Sequence, residues 1–475
     1  MTKSQQRSKK SGKIPLATPA VLGCIIVAAL LVFLLIPKAP KSSTPNAKGT
    51  TLPTAPVATT QSSNIKSMTV EMLAAEAMNA CRDALKNFPQ SSAPYLLMGD
   101  MHHKLGDSTE AVKWLNEAMK RDPKNMAIYL QLAGIAEERG DYEKAISHCK
   151  DAMRLGPVPE GLHHGLGSCL QQLGKTQEAV EALQQEIRLF PKTAASYRLL
   201  GQAYLQLKQY DKAVANYEKM LAIFPKDQAA CYGLMNAYAR LGQNDKSQEY
   251  REKFLALREQ TSKAVRGRRD AFDDTERMRR LAAYAHTMSG EIFYTHQRAA
   301  EAEQHLKRAY DLDPGDTLCR GKLVSLCMAQ KRHEDALAIC QQLIQIEPGN
   351  PLHRQNSGVL LSTLKRFPES VDTLRKAVAA DPNNPLGYRY LIKVLMQGTR
   401  DFPEARTVAE QLVRLDPTGS NYYVLSQTRQ ADNDLTGALD AIERACRLAP
   451  ANKRIQQARL RLKEQIKQSP SRENK

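Results

Sequence analysis

Apolar positions recur at helical spacing in two short stripes, and the pair of stripes repeats down most of the chain. Between Tyr197 and Pro225, Tyr197, Leu200, Gly201 and Tyr204 fall at intervals of one, three and four. A turn follows near Tyr210, and Ala213, Tyr217 and Met220 form a second stripe that stops at Phe224-Pro225. Such spacing gathers side chains on one face of an α-helix. The pattern therefore predicts two amphipathic helices in each unit, neither able to bury its apolar face alone. Gly201 and Ala213 are small because the two helices cross there. The proline cannot continue a helix interior and punctuates the pair.

The marks return at a fixed pitch. Pro89, Pro123, Pro157, Pro191 and Pro225 are equally spaced, with Ala77, Ala111, Ala145, Ala179 and Ala213 beside them at the same interval. After a skip the ladders resume as Pro314, Pro348, Pro382, Pro417 and Pro450, matched by Ala302, Ala336, Ser370, Ala405 and Ala438. A period of about 34 residues signals a stacked array of supersecondary units. Unit length, aromatic and small-residue positions and the closing proline together resemble the tetratricopeptide repeat (TPR) family over about 380 residues. The resemblance implies an all-α fold, a TPR-type α-solenoid built as a superhelix of antiparallel helix pairs. It further implies that the first helices line a concave groove for peptides or protein segments.

The chain divides around this array. Residues 1–13 form a basic tail (Lys3, Arg7, Lys9, Lys10, Lys13), and residues 14–37 carry no charge. At 1.5 Å per residue the uncharged run can cross a hydrocarbon core of ~30 Å, so a single transmembrane helix is expected to precede the solenoid. Pro37-Lys38-Ala39-Pro40 offers no small-x-small cleavage site, and Cys24 opens the apolar run where a lipidation site would close it, so the helix reads as an uncleaved signal anchor. Five cations precede it and three (Lys38, Lys41, Lys48) follow, which favours a cytoplasmic N-terminus. The repeats are then extracytoplasmic on the cell membrane, on the periplasmic side if the source is bacterial. Residues 38–66, rich in Ser, Thr, Pro and Ala, read as a disordered stalk spanning on the order of 30 Å.

Residues 67–91 match only the second helix of a repeat, and this half-repeat is expected to cap the first end of the array. A first block of five repeats follows at 92–258. Its fifth unit is degenerate, with Ser247, Arg251 and Glu259 where Ala, an aromatic and Pro are due. A charged insertion at 259–282 interleaves Lys263, Arg266, Arg268 and Arg269 with Asp270, Asp273, Asp274 and Glu276. It reads as a helical linker that re-enters the array nearly in phase, with a bend or a sub-domain break. The second block of five covers 283–451. It gains one residue near Phe402 and loses one in its last unit, which suits turns of varying length. Residues 452–475 form a basic cap helix and tail, with Ile455, Leu462 and Ile466 on one stripe.

Charge sharpens this picture little. The formal +18 of the 475 residues sits at the ends: residues 1–66 hold nine Lys/Arg and no acid, and residues 452–475 hold eight against two. The rest of the chain carries only +3, so the array gives no electrostatic case for nucleic acid. Nine cysteines lack CxxC or zinc-like spacing and read as core filler. No Walker loop, HExxH or GxSxG is present. Adjacent histidines, His102-His103 and His163-His164, diverge on a helix and cannot chelate one ion. No cofactor, metal site, small-molecule substrate or catalytic residue is expected.

What remains is binding. The groove positions carried over from the family are His103, His164, Arg198, Gln202, Tyr232, Asn236, Arg240, Arg389 and Lys393. Mixed cationic, polar and aromatic side chains suit an extended peptide, and Arg198 and Arg240 can fork onto carboxylates. Chaperone-binding members of the family clamp a terminal carboxylate with a Lys/Asn/Lys/Arg set. Here Leu96, Leu130 and Gly233 occupy positions such a clamp needs. The reading is a membrane-anchored, non-catalytic scaffold or adaptor for protein partners. The alternative is an accessory subunit of an envelope enzyme system, of the cytochrome-maturation or polysaccharide-export type.

Overall fold

The computed structural model describes Ile65, residues 67–268 and residues 274–468. The expected membrane-spanning helix and nearly all of the stalk lie outside the described residues. Among those described, no helix is long and apolar enough to cross a membrane. Every regular element is helical.

A first helix, α1 (Val70–Asn87), precedes five antiparallel pairs: α2 (Ser92–Lys104) with α3 (Ser108–Arg121), α4 (Met126–Glu138) with α5 (Tyr142–Leu155), α6 (Leu162–Gln172) with α7 (Thr176–Leu189), α8 (Ala194–Gln206) with α9 (Tyr210–Ile223), and α10 (Gln228–Arg240) with α11 (Asn244–Arg268). Five more follow: α12 (Asp274–Thr295) with α13 (Ala299–Leu312), α14 (Thr317–Ala329) with α15 (His333–Ile346), α16 (Pro351–Thr363) with α17 (Phe367–Ala380), α18 (Pro385–Val394) with α19 (Phe402–Leu415), and α20 (Gly419–Ala431) with α21 (Leu435–Leu448). The last helix is α22 (Lys453–Gln468).

Local chemistry sets these boundaries. Asn125, Asp227, Asp316, Asn350 and Asn384 each cap the helix that follows, accepting a hydrogen bond from an N–H of its first turn. Within a pair, the first helix ends on a residue in the left-handed region. At Gly106 (φ +90°), the Gly106 N–H donates to His103 O (2.9 Å) and the Asp107 N–H to His102 O (2.8 Å). This double closure satisfies the orphan carbonyls and reverses the chain. The alanine ladder is fully buried at Ala111, Ala145, Ala179 and Ala213, and again at Ala302, Ala336, Ala405 and Ala438. Ser370 keeps its place by donating its hydroxyl to Gly358 O (2.7 Å). A Cβ on Gly201 would lie 2.9 Å from the Tyr217 ring, which also fills the space beside Gly233 in the next repeat.

Two expectations need correction. The residue gained near Phe402 does not lengthen a turn. It is absorbed as a π-helical segment at Leu395–Thr399, after which Arg400 (φ +57°) makes the usual left-handed reversal. The larger correction concerns α1, which caps nothing. It packs extensively against α12, which belongs to the second block. Helix α12 thus pairs with two second helices, α1 and α13, and touches the neighbouring first helices α2 and α14.

One core joins Leu73, Ala77 and Cys81 of α1, Leu97 and Met101 of α2, and Ala282, Ala285 and Phe293 of α12. Ser289 donates to Ala80 O (2.9 Å), and Phe88 meets Phe293 edge-on at 5.0 Å. Helix α12 can be shared because its buried positions (Ala282, Ala283, Ala285, Thr287, Ser289, Gly290) are small on more than one face. The partner that the half-repeat lacks is therefore supplied by the first helix of the second block. The insertion does not continue the array in phase from α11. It returns the chain to the start of the first block, where Arg277 reaches Lys104 O at 3.5 Å. Both blocks grow from α12.

Candidate functional site

The first helices form a row, in which α4, α6 and α8 are tied together by side chains about one repeat apart. Ser168 donates to Glu137 (2.8 Å), His164 Nδ1 meets Ser196 Oγ at 2.9 Å, and Gln171 donates to Leu199 O (3.4 Å). In the second block Lys322 pairs with Glu291. Such contacts consume several of the nine residues expected to face a ligand. His103 Nε2 lies 3.2 Å from Glu138. Burial holds the His164 imidazole below its ordinary pKa, so it is neutral near pH 7 and bonded to Ser196. Arg389 donates to Asn421 (3.0 Å) and Asp416 (3.1 Å), so its guanidinium fastens α18 to α20.

The other six stay available. Arg198, Gln202, Asn236, Arg240 and Lys393 have no side-chain hydrogen bond or ion pair among the described residues, and Gln202, Arg240 and Lys393 are exposed. Tyr232 is 50% exposed, with its ring 5.4 Å from that of Phe254. Five of the six lie on α8 and α10, at equivalent positions of consecutive repeats. The structure thus narrows the candidate surface to the far end of the first block.

Sequence reasoning missed a second polar constellation, at the α12 junction. A cavity of about 590 Å³ opens there between α1, α12 and α13, lined in part by Met72, Glu76, Asp83, His286, His305 and Arg308. Arg308 grips Glu76 with both arms of its fork (2.6 and 3.1 Å). His286 Nε2 lies 3.3 Å from the same carboxylate. Burial alone would raise the pKa of Glu76, but the hydrogen bonds from His286 and Arg308 bring it down to about 2. His286 and His305 face each other Nδ1 to Nδ1 at 3.0 Å, and His305 Nε2 lies 3.1 Å from Asp83. Burial lowers the pKa of His305. Arg308 with Glu76 and His305 with Asp83 bridge the joint directly, so the cavity reads first as part of it. Nothing local could have revealed it, since Asp83 and His305 stand 222 residues apart, and Glu76 and Arg308 232.

Among the described residues no three His, Cys, Asp or Glu side chains gather as a metal site. Eight cysteines are buried and unpaired. Burial pushes the thiols of Cys81, Cys319 and Cys340 up to about 12, so they sit protonated in the core.

Stacked helix pairs repeated at a fixed pitch define an α-solenoid. The chain belongs to the tetratricopeptide repeat family, whose sequence profiles match residues 93–125, 125–192, 160–226, 204–250, 269–317 and 294–355. Solved structures to which the chain is similar include MamA, 30% identical over 35% of this chain and 97% of that one, with a TM-score of 0.34. YrrB, described as a TPR protein with an unusual peptide-binding site, is 18% identical over 40% and 97%, with a TM-score of 0.35. Yeast Tom70 is 14% identical over 79% and 96%, with a TM-score of 0.32. No curated protein sequence matches the chain.

Proposed function

We propose that this chain is a membrane-tethered, non-catalytic adaptor that holds acidic segments of partner proteins across α8 and α10. The observation that carries this reading is the cluster of Arg198, Gln202, Asn236 and Arg240, left without internal partners beside the half-exposed Tyr232. Neighbouring polar positions in the same row are spent on inter-repeat bonds. Unpaired guanidinium forks suit carboxylates, and the amide side chains suit a peptide backbone.

A photoreactive residue at position 198 should cross-link a partner in intact membranes. Arg198→Glu should weaken capture at least fivefold without changing the melting temperature. Unchanged capture would remove this surface as the site. The tether is residues 14–37, with the repeats on the extracytoplasmic side. The support for it is the uncharged run and the excess of cations before it. Protease added to the outside of spheroplasts should then cut within residues 38–66, whereas full protection would reverse the topology.

A further inference from the structure

A second cavity, of about 360 Å³, lies at the opposite end of the molecule's repeat order, between α20, α21 and α22. Its lining includes Tyr423, Gln427 and Gln430 of α20 and Arg454, Gln457 and Arg461 of α22, and no lining residue is an acid. On α22 the three residues stand at i, i+3 and i+7, which sets both guanidinium groups on one face. On α20 the spacing of i, i+4 and i+7 builds the facing wall. The arrangement is partly pre-set: the Arg454 guanidinium sits 5.8 Å from the Tyr423 ring centroid, and Gln427 donates to the Tyr423 hydroxyl at 3.2 Å. Neither arginine side chain has an ion-pair or hydrogen-bond partner among the described residues. Glu443, an acid on the adjoining helix, is already held by Lys463 at 3.1 Å.

Gln430 donates to Gln465 Oε1 at 2.5 Å, which fixes the far wall and leaves two unpaired cations and the Gln457 amide facing the hollow without an anion. We propose that this end cavity binds a carboxylate-bearing peptide segment, with Arg454 and Arg461 on the carboxylate and the Gln457 amide on the peptide backbone. The guanidinium fork matches a carboxylate in shape and charge. The volume lies in the range of small-ligand clefts and accommodates a side chain or two rather than a folded surface. Tyr423 and Gln427 also continue the first-helix row, at the end opposite α8 and α10, so the cavity is a separate subsite of that row. The proposal rests on reading that row as protein-binding.

The test uses the full-length protein and a fluorescein-labelled hexaglutamate peptide, with fluorescence anisotropy as the readout. To silence the α8 and α10 surface, which also takes acidic segments, every protein compared carries Arg198→Glu/Arg240→Glu; in that background Arg454→Glu/Arg461→Glu should bind at least tenfold more weakly, and Arg461→Glu alone at least threefold. Arg447→Glu/Lys467→Glu makes the same change of charge on exposed cations outside the cavity, and its affinity should stay within twofold of the parent. Equal losses in the two double variants would reduce the effect to bulk charge and overturn the proposal. So would full retention of affinity by Arg461→Glu with an unchanged melting temperature. Co-sedimentation with phosphatidylglycerol vesicles that depends on the arginine pair, with hexaglutamate binding unaffected, would replace the peptide by a lipid surface and also overturn it. The two readings fail separately: Arg198→Glu/Arg240→Glu alone should abolish partner capture in membranes, and the hexaglutamate binding that it retains should be the part that Arg454→Glu/Arg461→Glu removes.

Discussion

The two blocks share a helix, a period and a core, and they spend their polar residues differently. In the first block the row of first helices runs out of internal partners at α8 and α10. In the second, Arg389 is tied to Asp416 and Asn421, and Lys322 to Glu291, leaving Lys393 exposed before the cavity at α20 and α22. The turns differ as well. The left-handed residue within each pair is Gly106, Gly140, Gly174, Lys208 and Gly242 in the first block. In the second it is Gln297, Lys331, Lys365, Arg400 and Asn433. The first block thus combines relaxed turns with an unspent surface, and the second combines strained turns with inter-repeat bonds. The same fold can be specified by either means, and the first leaves side chains over within its repeats, whereas the second leaves them chiefly at its closing end.

If α12 is the common origin of both blocks, damage to its α1 face should separate them. Ser289→Leu removes the bond to Ala80 O and forces a large side chain into a site with no exposed surface. Overpacking and the lost hydroxyl hydrogen bond together should cost about 3 kcal/mol. Hydrogen exchange should show α1 losing protection while α16 and α17 keep theirs. Equal loss in both blocks would mean that the joint and the second block open as one unit.

Acid should act on the same joint more gently. His305 has its pKa lowered by burial, so the folded state favours the neutral ring and loses stability as pH falls through the ordinary value of 6.5. Glu76 has a depressed pKa, so its contribution is complete above 4.5 and fades as pH drops toward about 2. The facing groups are Glu76 and Asp83 from α1, His286 from α12 and Arg308 from α13, and both effects weaken the joint toward acid. Protection of α1 should fall in two stages below pH 6.5, and Glu76→Gln should remove the lower one. A flat profile down to pH 4 would exclude His305.

The repeat was legible in the sequence because each unit is specified locally, by stripes of three and four and a closing proline. The joint was not, since pairing α1 with α12 depends on distant contacts such as Ser289 with Ala80, which lie 209 residues apart. Two signs of it were present all the same. The stretch 67–91 lacked a first helix, and Ala282 to Gly290 carried small residues at too many angles for one buried stripe. The candidate surface was legible only in part. Whether a polar side chain faces solvent or a neighbour depends on the residue about one period further on: Glu138 for His103, Ser196 for His164, Asn421 for Arg389. Comparing each groove position with its counterpart in the following repeat would have separated spent residues from free ones.

The smallest expected effect tests the turns. Lys331 and Lys365 hold φ near +60° (62° and 61°), a region where a Cβ crowds the backbone. Glycine there relieves about 1–2 kcal/mol of strain and gives back roughly 0.5–1 kcal/mol in unfolded-chain entropy. Lys331→Gly or Lys365→Gly should therefore stabilise the protein by about 0.5–1 kcal/mol. The reverse exchange, Gly140→Ala at φ +75° with nothing within 4 Å of the new Cβ, should destabilise by about 1 kcal/mol through backbone strain alone. Chemical denaturation of the three variants measures both signs. If Lys331→Gly lowered stability, the turn would be held by something the lysine side chain does, and the contrast between relaxed and strained blocks would fail at that position. If all three shifts take the expected signs, the second block keeps its non-glycine turns despite a standing cost, offset by the inter-repeat bonds that also use up its surface.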